Sequence, residues 1–384
     1  MNRGLVTRRA LLLGGGAAAL GLLGAGTIRL VTGPSETAGP TGSCSSPREL
    51  IFGSSAATWQ LSDAAYRRLF VREAEMLFTE DDLLWYRLRP SPDSELDFTY
   101  ADRIINLAER HGMLVFGAHL VWDEGFGEGW TDDDLWGMDE PTARRVLFGS
   151  VRSLVDRYRG RVEAWSVVNE AVSPEGIDGL RTDVPWYQTI GPSYVSDAFR
   201  IAHDQDSSAL LVLNEFGFET VDQWGDNPTD KRRAVLEVLD ALIEDDVPVH
   251  ALGVQGHLLA DDFSQRFDQS AYRDFLAALS ERGLEILITE LDVLDDGLPA
   301  DRQIRDRAVA DAYQAYLDVV LDEPAVKAVM TFGLSDRYTW LEEDYPRDDG
   351  ATRRPLPFTA DLHPKPAYHA LKDSLSQAEP RCPL

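Results

Sequence analysis

The chain has 384 residues, of which 44% are hydrophobic and 9% aromatic, and its formal net charge is −28. This apolar content is enough for a large core and excludes a disordered chain. The excess of 65 acidic over 37 basic residues excludes nucleic acid as a partner, because affinity for nucleic acid depends on basic side chains that neutralise phosphates.

The first 33 residues differ from the rest of the chain. Arg8 and Arg9 follow a threonine and directly precede a stretch of apolar and small residues at 10–28. This pattern predicts a twin-arginine export signal over residues 1–33 and therefore an extracellular protein. The stretch is nearly long enough to span a membrane, so an anchor on the outer face of the cell membrane stays an alternative. Residues 34–47 are rich in Pro, Gly and Ser and predict a flexible linker.

The charge that remains after the leader is unusually negative. The leader contains four arginines and no acid, which leaves 33 basic against 65 acidic residues, a net charge of −32. This charge favours a halophilic protein that works in a salt-rich medium; an ordinary acidic secreted enzyme is the alternative. The two cysteines, Cys44 and Cys382, flank the predicted folded region, and we expect a disulfide between them in an exported chain.

From residue 49 onward, short apolar runs alternate with longer amphipathic stretches. Continuous apolar strands that alternate with helices predict a parallel sheet covered on both faces. We therefore predict an α/β fold, a (β/α)8 TIM barrel, as a single domain over residues 48–376, followed by a short tail at 377–384. An open, doubly wound sheet is the weaker alternative, because no Gly-rich phosphate turn is present. The eight apolar runs are LIFGSSA (50–56), MLFTEDD (76–82), MLVFGAHLVW (113–122), VEAWSVVNEA (162–171), LLVLNEF (210–216), HALGVQGHL (250–258), EILITELDV (285–293) and AVMTFGLSD (328–336).

Four of the predicted strands end with an acid. Glu80, Glu170, Glu215 and Glu290 lie towards the ends of the second, fourth, fifth and seventh runs. Active sites of such barrels form at the carboxyl ends of the strands. The carboxyl ends of the fourth and seventh strands face each other across the ring, as do those of the second and fifth strands. Two candidate carboxylate pairs are therefore possible: Glu170 with Glu290, and Glu80 with Glu215. Two acids across a cleft predict glycoside hydrolysis.

Several segments, taken together, resemble one known family. The segments VVNEA (167–171), VQGHL (254–258) and ITELDV (288–293) resemble the signature segments of family 10 of the glycoside hydrolases, the xylanase family. The resemblance extends over residues 50–375 and includes YADRIINLAERHGMLVFGAHLVW, YRGRVEAWSVVNEAV, LSDRYTWL and PLPFTADLHPKPAYHAL. It implies a retaining enzyme in which Glu170 is the general acid/base and Glu290 the nucleophile.

The supporting residues follow from the same resemblance and from strand geometry. His257, at the end of the sixth run, is the expected hydrogen-bond donor to Glu290. Asp292 lies two residues after Glu290, on the same face of the strand, and can hold the other nitrogen of His257. The resemblance further implies that Asn169 binds the 2-hydroxyl of the sugar being cleaved and that Gln255 contacts the substrate.

Aromatic residues at strand ends predict the walls of a sugar cleft. Trp122 and Trp340 resemble the aromatic walls of the family. The segment WDEGFGEGWTDDDLWGM (122–138) is too polar and glycine-rich for a core element, and we interpret it as a loop that lines the cleft.

The chain departs from the family on one half of the cleft. Strand two of the family typically ends with an Asn and, three residues later, a Lys; here these positions are Asp81 and Leu84. Ala118 occupies the position where the family typically has a His. Strand alternation predicts that the next residue, His119, faces away from the barrel mouth unless the strand bulges. Phe332 stands where the family has a Trp. These changes predict weak activity on plain xylan, or a preference for another sugar or decoration.

We expect no metal and no organic cofactor. The seven histidines are scattered, and neither a phosphate loop nor a Gly-x-Ser-x-Gly elbow is present in the sequence. The expected partner is a polysaccharide or oligosaccharide substrate. We expect no membrane partner beyond a possible signal anchor, and we expect the enzyme to be a monomer. Two alternatives stay open: a glycosidase of the same barrel that acts on a non-xylan β-glycoside, and a carbohydrate-binding barrel that has lost catalysis.

Overall fold

The structure, a computed structural model, describes residues 49–221, 227–382 and 384. Eight parallel strands of the described chain close into a barrel, because β10 (Val326–Thr331) pairs with both β1 (Ile51–Ser55) and β9 (Glu285–Leu294). Every predicted apolar run supplies one barrel strand, so the TIM barrel is confirmed and the open sheet is wrong. The strands are β1 (Ile51–Ser55), β2 (Met76–Phe78), β3 (Leu114–Gly117), β4 (Ala164–Asn169), β5 (Val172–Ile177), β6 (Leu210–Glu215), β7 (Ala251–Val254), β8 (His257–Leu259), β9 (Glu285–Leu294) and β10 (Val326–Thr331).

Two of these strands lie outside the barrel ring. β5 directly follows β4, and β8 pairs with the outer half of β9, from His257 opposite Asp292 to Leu259 opposite Leu294. Both belong to the end of the barrel where the strands finish. The sequence pattern did not predict them, because β8 begins inside the sixth apolar run and β5, with the sequence VSPEGI, is largely polar.

The helices surround the barrel, and several begin at a side chain that caps them. The Asp139 carboxylate accepts a hydrogen bond from the Thr142 backbone N–H, and Asp301 does the same for Gln303, which fixes the starts of two long helices. The helices are α1 (Ala64–Glu73), α2 (Trp85–Leu88), α3 (Thr99–Arg110), α4 (Asp132–Trp136), α5 (Glu140–Arg157), α6 (Pro185–Ile190), α7 (Ser193–Gln205), α8 (Pro228–Glu244), α9 (Phe263–Arg266), α10 (Gln269–Glu281), α11 (Arg302–Val320), α12 (Leu341–Asp344) and α13 (Pro366–Gln377).

The core has two layers, one inside the barrel and one between strands and helices. The inner layer contains side chains from every barrel strand and includes Phe78, Phe116 and Ala118. Gly117 shows how tightly the outer layer packs, because a Cβ at this position would lie 2.4 Å from the ring of Trp165. The apolar filling of the barrel ends near Phe78 and Phe116, and polar side chains occupy the space above it.

Some predictions fall on residues that the structure does not describe. The leader at 1–33, the linker at 34–47 and Cys44 lie outside the described residues. Cys382 is disulfide-bonded. In the part of the chain that is described, no helix is both long and apolar enough to cross a membrane.

The distribution of cations makes the surface still more acidic than the composition suggests. All four lysines lie within the described residues, and two of them, Lys231 and Lys365, are buried. Lys327 is half-buried near Glu285, so Lys372 is the one exposed lysine. Arginines must therefore supply most of the positive charge that faces the solvent.

We propose that this protein requires salt for stability. Self-repulsion of a charge near −32 destabilises the compact state unless ions screen it. The screening length falls from roughly 10 Å at 0.1 M to about 3 Å at 1 M salt, so the melting temperature should rise by several degrees between these concentrations. Thermal unfolding in KCl, with isosmotic sucrose as the uncharged control, tests this. An unchanged melting temperature in molar KCl would contradict it.

Candidate active site

Two carboxylates lie close to the centre of the barrel mouth. Glu170 directly follows the last residue of β4, and Glu290 is the sixth residue of β9. The exposed fractions of Glu170 and Glu290 are 7% and 5%, so both side chains are buried at the base of an opening and neither is solvent-exposed. Buried acids of this kind require hydrogen-bond partners.

A chain of side-chain amides joins the two carboxylates. Asn214, at the end of β6, donates its Nδ2 protons to Glu290 Oε1 at 2.7 Å and to Asn169 Oδ1 at 2.8 Å. Gln255 donates from Nε2 to Glu170 Oε1 at 3.1 Å and to Asn169 Oδ1 at 3.3 Å. Asn169 therefore stands between the two acids and accepts from both neighbouring amides.

The orientation of Asn214 is fixed from the other side. The Thr289 hydroxyl donates to Asn214 Oδ1 at 2.8 Å. Because this contact occupies the amide oxygen, the NH2 group of Asn214 must point towards Glu290. Asn214 therefore supplies Glu290 with a donor whose direction is set before any ligand binds.

His257 lies between two carboxylates. Its Nδ1 is 2.8 Å from Asp292 Oδ1, and its Nε2 is 3.4 Å from Glu290 Oε2. Burial alone would lower the pKa of His257, but Asp292 and Glu290 outweigh it and raise the pKa to about 10. His257 is therefore an imidazolium at neutral pH and donates to both acids. Asp292 also accepts a hydrogen bond from Trp340 Nε1 at 2.7 Å.

Aromatic rings form a continuous series around the mouth. Trp122 contacts His119 at 5.4 Å between ring centroids, and His119 contacts Phe78 at 5.7 Å. Phe78 contacts Phe332 at 5.7 Å, and Phe332 contacts Trp340 at 6.3 Å. The two predicted walls, Trp122 and Trp340, are thus the ends of one aromatic rim.

The mouth continues into an open cleft beside His257 and Asp292. Most of its lining is apolar, with two buried carboxylates, those of Glu219 and Asp292. The other lining residues are Phe216, Gly217, Thr220, Leu258, Leu259, Leu294, Trp340 and Leu341.

The expectation that His119 faces away from the mouth is wrong. Its Nδ1 lies 2.7 Å from Ser166 Oγ, and its ring contacts Phe78, which belongs to the inner layer of the barrel. Strand β3 ends at Gly117, so the alternation of a regular strand does not extend to residues 118 and 119. Burial lowers the pKa of His119 to about 4, against the opposing effect of Glu290, so this imidazole is neutral.

The second possible carboxylate pair is not available for chemistry. Glu215 is fully buried; its Oε1 accepts from the Val172 backbone N–H at 2.7 Å and its Oε2 pairs with Lys231 Nζ at 2.9 Å. Glu80 accepts hydrogen bonds from the hydroxyl of Ser55, the last residue of β1, and from the Gln60 amide. Both acids have structural partners, and Glu215 cannot reach a substrate.

The departures predicted from the second strand lie together in the structure. Asp81 Oδ2 accepts from Trp59 Nε1 at 2.8 Å, so one carboxylate oxygen already has a partner. Leu84 is half-buried and packs against Gly125, where a Cβ would lie 3.3 Å from that of Leu84. An apolar contact therefore occupies the place where the family typically has a cation.

The segment 122–138 is only partly the cleft-lining loop that its composition predicts. Trp130 is buried and its Nε1 donates to the Arg89 carbonyl at 2.7 Å. Phe126 stacks on Trp85 at 5.4 Å. These contacts anchor the segment in a small aromatic core, and its polar composition concealed them.

Sequence reasoning missed several polar residues around Glu170 and Glu290. Asn214, Arg181 and Asp123 contact the site; the first two are not acids, and Asp123 was not counted although it directly follows the third apolar run. Arg181 Nη1 donates to the Glu170 carbonyl at 3.1 Å, and Arg181 Nη2 pairs with Asp123 at 2.9 Å. Two signals were available: Asn214 lies directly before Glu215 at a strand end, and Asp123 lies directly after the third apolar run. Across the described residues, no group of His, Cys, Asp and Glu could hold a metal ion.

Comparisons with known proteins agree with this geometry. The family model described as glycosyl hydrolase family 10 matches residues 44–374. Endo-1,4-beta-xylanase B of Thermotoga neapolitana is 30% identical over 322 residues, which cover 83% of this chain and 86% of the relative. A thermostable celloxylanase of Thermoclostridium stercorarium is 29% identical over 326 residues, 79% of this chain and 80% of the relative.

Solved structures show the same fold. The crystal structure of xylanase 10B from Thermotoga petrophila in complex with xylobiose has a TM-score of 0.74 and 29% sequence identity. The match covers 86% of this chain and 94% of that chain.

Proposed function

This chain belongs to family 10 of the glycosyl hydrolases, and from that membership we propose that it cleaves β-1,4 linkages in xylan or a related β-glycan with retention of configuration. The observation that carries the proposal is the amide chain between Glu170 and Glu290, with His257 on the far side of Glu290. A retaining glycosidase requires two carboxyl groups on either side of a cleft, one as general acid/base and one as nucleophile, and these roles require different hydrogen-bond environments.

The environment of each acid supports a different role. Glu290 receives hydrogen-bond donors from Asn214 and from the His257 imidazolium, which stabilise negative charge, so it is the nucleophile. One Glu290 oxygen attacks the anomeric carbon while Glu170 gives its proton to the glycosidic oxygen, and the aglycone leaves. Glu170 then takes a proton from water, the hydroxide attacks the anomeric carbon, and the Glu290 carboxylate is released.

Product analysis tests this function. NMR of the first products from a β-xylo-oligosaccharide should show the β-anomer before mutarotation. The α-anomer as first product would contradict retention, and no hydrolysis of any β-glycan would favour a carbohydrate-binding barrel.

A second candidate function is hydrolysis of a non-xylan β-glycoside by the same residues. Leu84 and Phe332, on one half of the cleft, favour this candidate, since both are apolar where the family typically has Lys and Trp. The description of one relative as a celloxylanase is consistent with variation of the sugar within the family. Initial rates on matched xylan, glucan and mannan oligosaccharides distinguish the two candidates.

We further infer that the enzyme acts outside the cell. Arg8 and Arg9 before an apolar stretch support export by a twin-arginine route. Replacement of both arginines by lysine should retain the protein in the cytoplasm. Activity that still appears in the medium after this change would contradict the inference.

A further inference from the structure

The backbone at Glu170 has a conformation that non-glycine residues rarely adopt. Its φ is +56°, in the left-handed region. Such a conformation is unfavourable for a non-glycine residue and persists where the surroundings impose it. The groups that hold residues 170–172 therefore determine where the Glu170 carboxyl points.

Two cations bind the carbonyls of this segment. The Arg181 guanidinium donates to the Glu170 carbonyl at 3.1 Å, and its own backbone N–H donates to the Ala171 carbonyl at 2.7 Å. Lys231 Nζ donates to the Val172 carbonyl at 2.6 Å. Three successive carbonyl groups thus have donors from only two residues, Arg181 and Lys231.

Each cation is neutralised by its own carboxylate. Arg181 pairs with Asp123 at 2.9 Å, and Lys231 pairs with Glu215 at 2.9 Å. Glu215 also accepts from the Val172 N–H at 2.7 Å, so this ion pair holds both polar backbone groups of Val172. Lys231 and Glu215 are both buried. Burying a lysine is costly, and packing alone would be served better by an apolar side chain of the same length.

We propose that Lys231 and Arg181 are positioning residues that clamp segment 170–172 and so hold the Glu170 carboxyl in line with the glycosidic oxygen. The clamp rests on the proposed function, in which Glu170 is the general acid. Neither cation needs to contact the substrate; each acts through a carbonyl group of the segment. A shift of about 1 Å in a catalytic group can cost on the order of a hundredfold in rate, so the clamp affects catalysis as well as stability.

Leaving-group dependence tests the clamp, because a merely structural role would not alter it. We compare kcat/KM of Lys231→Met and Arg181→Met on a 2,4-dinitrophenyl glycoside, whose leaving group needs no proton, and on an unactivated oligosaccharide. Since general acid catalysis is worth ~10²–10⁴-fold, each variant should lose about tenfold or more on the oligosaccharide relative to the activated substrate. Lys231→Arg and Arg181→Lys should recover much of this ratio.

Lys365 provides a matched control. It is a buried lysine that pairs with Asp336 at 3.0 Å and donates to the Arg354 carbonyl at 2.7 Å, away from Glu170. Lys365→Met should lower the melting temperature without a change in the substrate ratio. If Lys231→Met does not fold, the double variant Lys231→Met with Glu215→Gln removes the unpaired carboxylate. The Arg181 variants are an independent test, because Arg181 is partly exposed and its replacement leaves no fully buried charge.

The outcomes separate the clamp from the proposed function. Parallel losses on both substrates in the folded clamp variants, or no loss at all, would overturn the clamp. The Glu170→Ala variant serves as the reference, because it must itself show the leaving-group dependence. If Glu170→Ala lost activity equally on both substrates, the assignment of the general acid would fail instead.

Discussion

Replacing Glu290 by glutamine abolishes turnover on every glycoside if Glu290 is the nucleophile, because an amide cannot form the covalent glycosyl ester. Glutamine has nearly the same size as glutamate and leaves Asn214 and His257 in place, so the fold should be retained. Steady-state rates on an aryl glycoside and on an oligosaccharide measure the loss. The same variant should still bind oligosaccharide in calorimetry, which separates lost chemistry from lost binding.

Replacing Glu170 by alanine has a different signature. Unactivated substrates should lose ~10²–10⁴-fold in kcat/KM, because their leaving group requires the proton. A 2,4-dinitrophenyl glycoside should lose far less in kcat/KM and should accumulate the glycosyl-enzyme, because no base activates the water. Azide needs no base, so it should restore turnover and yield a β-glycosyl azide.

The other two acids of the barrel mouth are the controls for these variants. Glu80→Gln and Glu215→Gln should both keep turnover on the 2,4-dinitrophenyl glycoside, because neither acid forms the glycosyl-enzyme; Glu80 is hydrogen-bonded to Ser55 and Gln60. Glu215→Gln also weakens the contact with Lys231, so it should lose activity only on the unactivated oligosaccharide, as the clamp predicts. If either variant were as inactive as Glu290→Gln, the assignment of the carboxylate pair would be wrong.

The sequence was sufficient to predict the barrel and the location of the acids. Apolar runs are a strong signal when both faces of a strand are buried, and all eight runs became barrel strands. The contact between His257 and Asp292 was also predictable, since it follows from the period of two along β9. These predictions depend on local periodicity and on one global rule about strand ends.

Contacts between residues far apart in the chain could not be predicted from the sequence. Arg181 reaches the carbonyl of Glu170, and Lys231 reaches that of Val172 from α8. A lysine or arginine on an amphipathic helix usually lies at its solvated face, so nothing in the sequence of α8 indicates that Lys231 is buried. His119 was misplaced for a related reason, because the end of β3 could not be located to within one residue.

The half of the cleft around Leu84 should limit activity on plain xylan. By the family resemblance, Leu84 replaces a lysine and Ala118 a histidine that hydrogen-bond sugars, and Phe332 replaces a larger tryptophan. In the structure Leu84 packs on Gly125, Ala118 lies in the inner core, and one oxygen of Asp81 is bound to Trp59. No polar group among these side chains directly replaces the lost lysine.

The size of the effect follows from the hydrogen bonds that are missing. Each lost bond to a substrate is worth about 0.5–3 kcal/mol, so two or three of them should lower kcat/KM on unbranched xylo-oligosaccharides by on the order of a hundredfold or more. Leu84→Lys should recover about tenfold, whereas Leu84→Met, of similar size and without charge, should recover nothing. Side-by-side kinetics with an ordinary family 10 xylanase provide the reference. If kcat/KM of the unmodified enzyme equals that of the reference, the predicted preference for a different sugar is wrong. Another group has then replaced the missing contacts, and His119, which lies within the mouth beside Ser166, is one candidate.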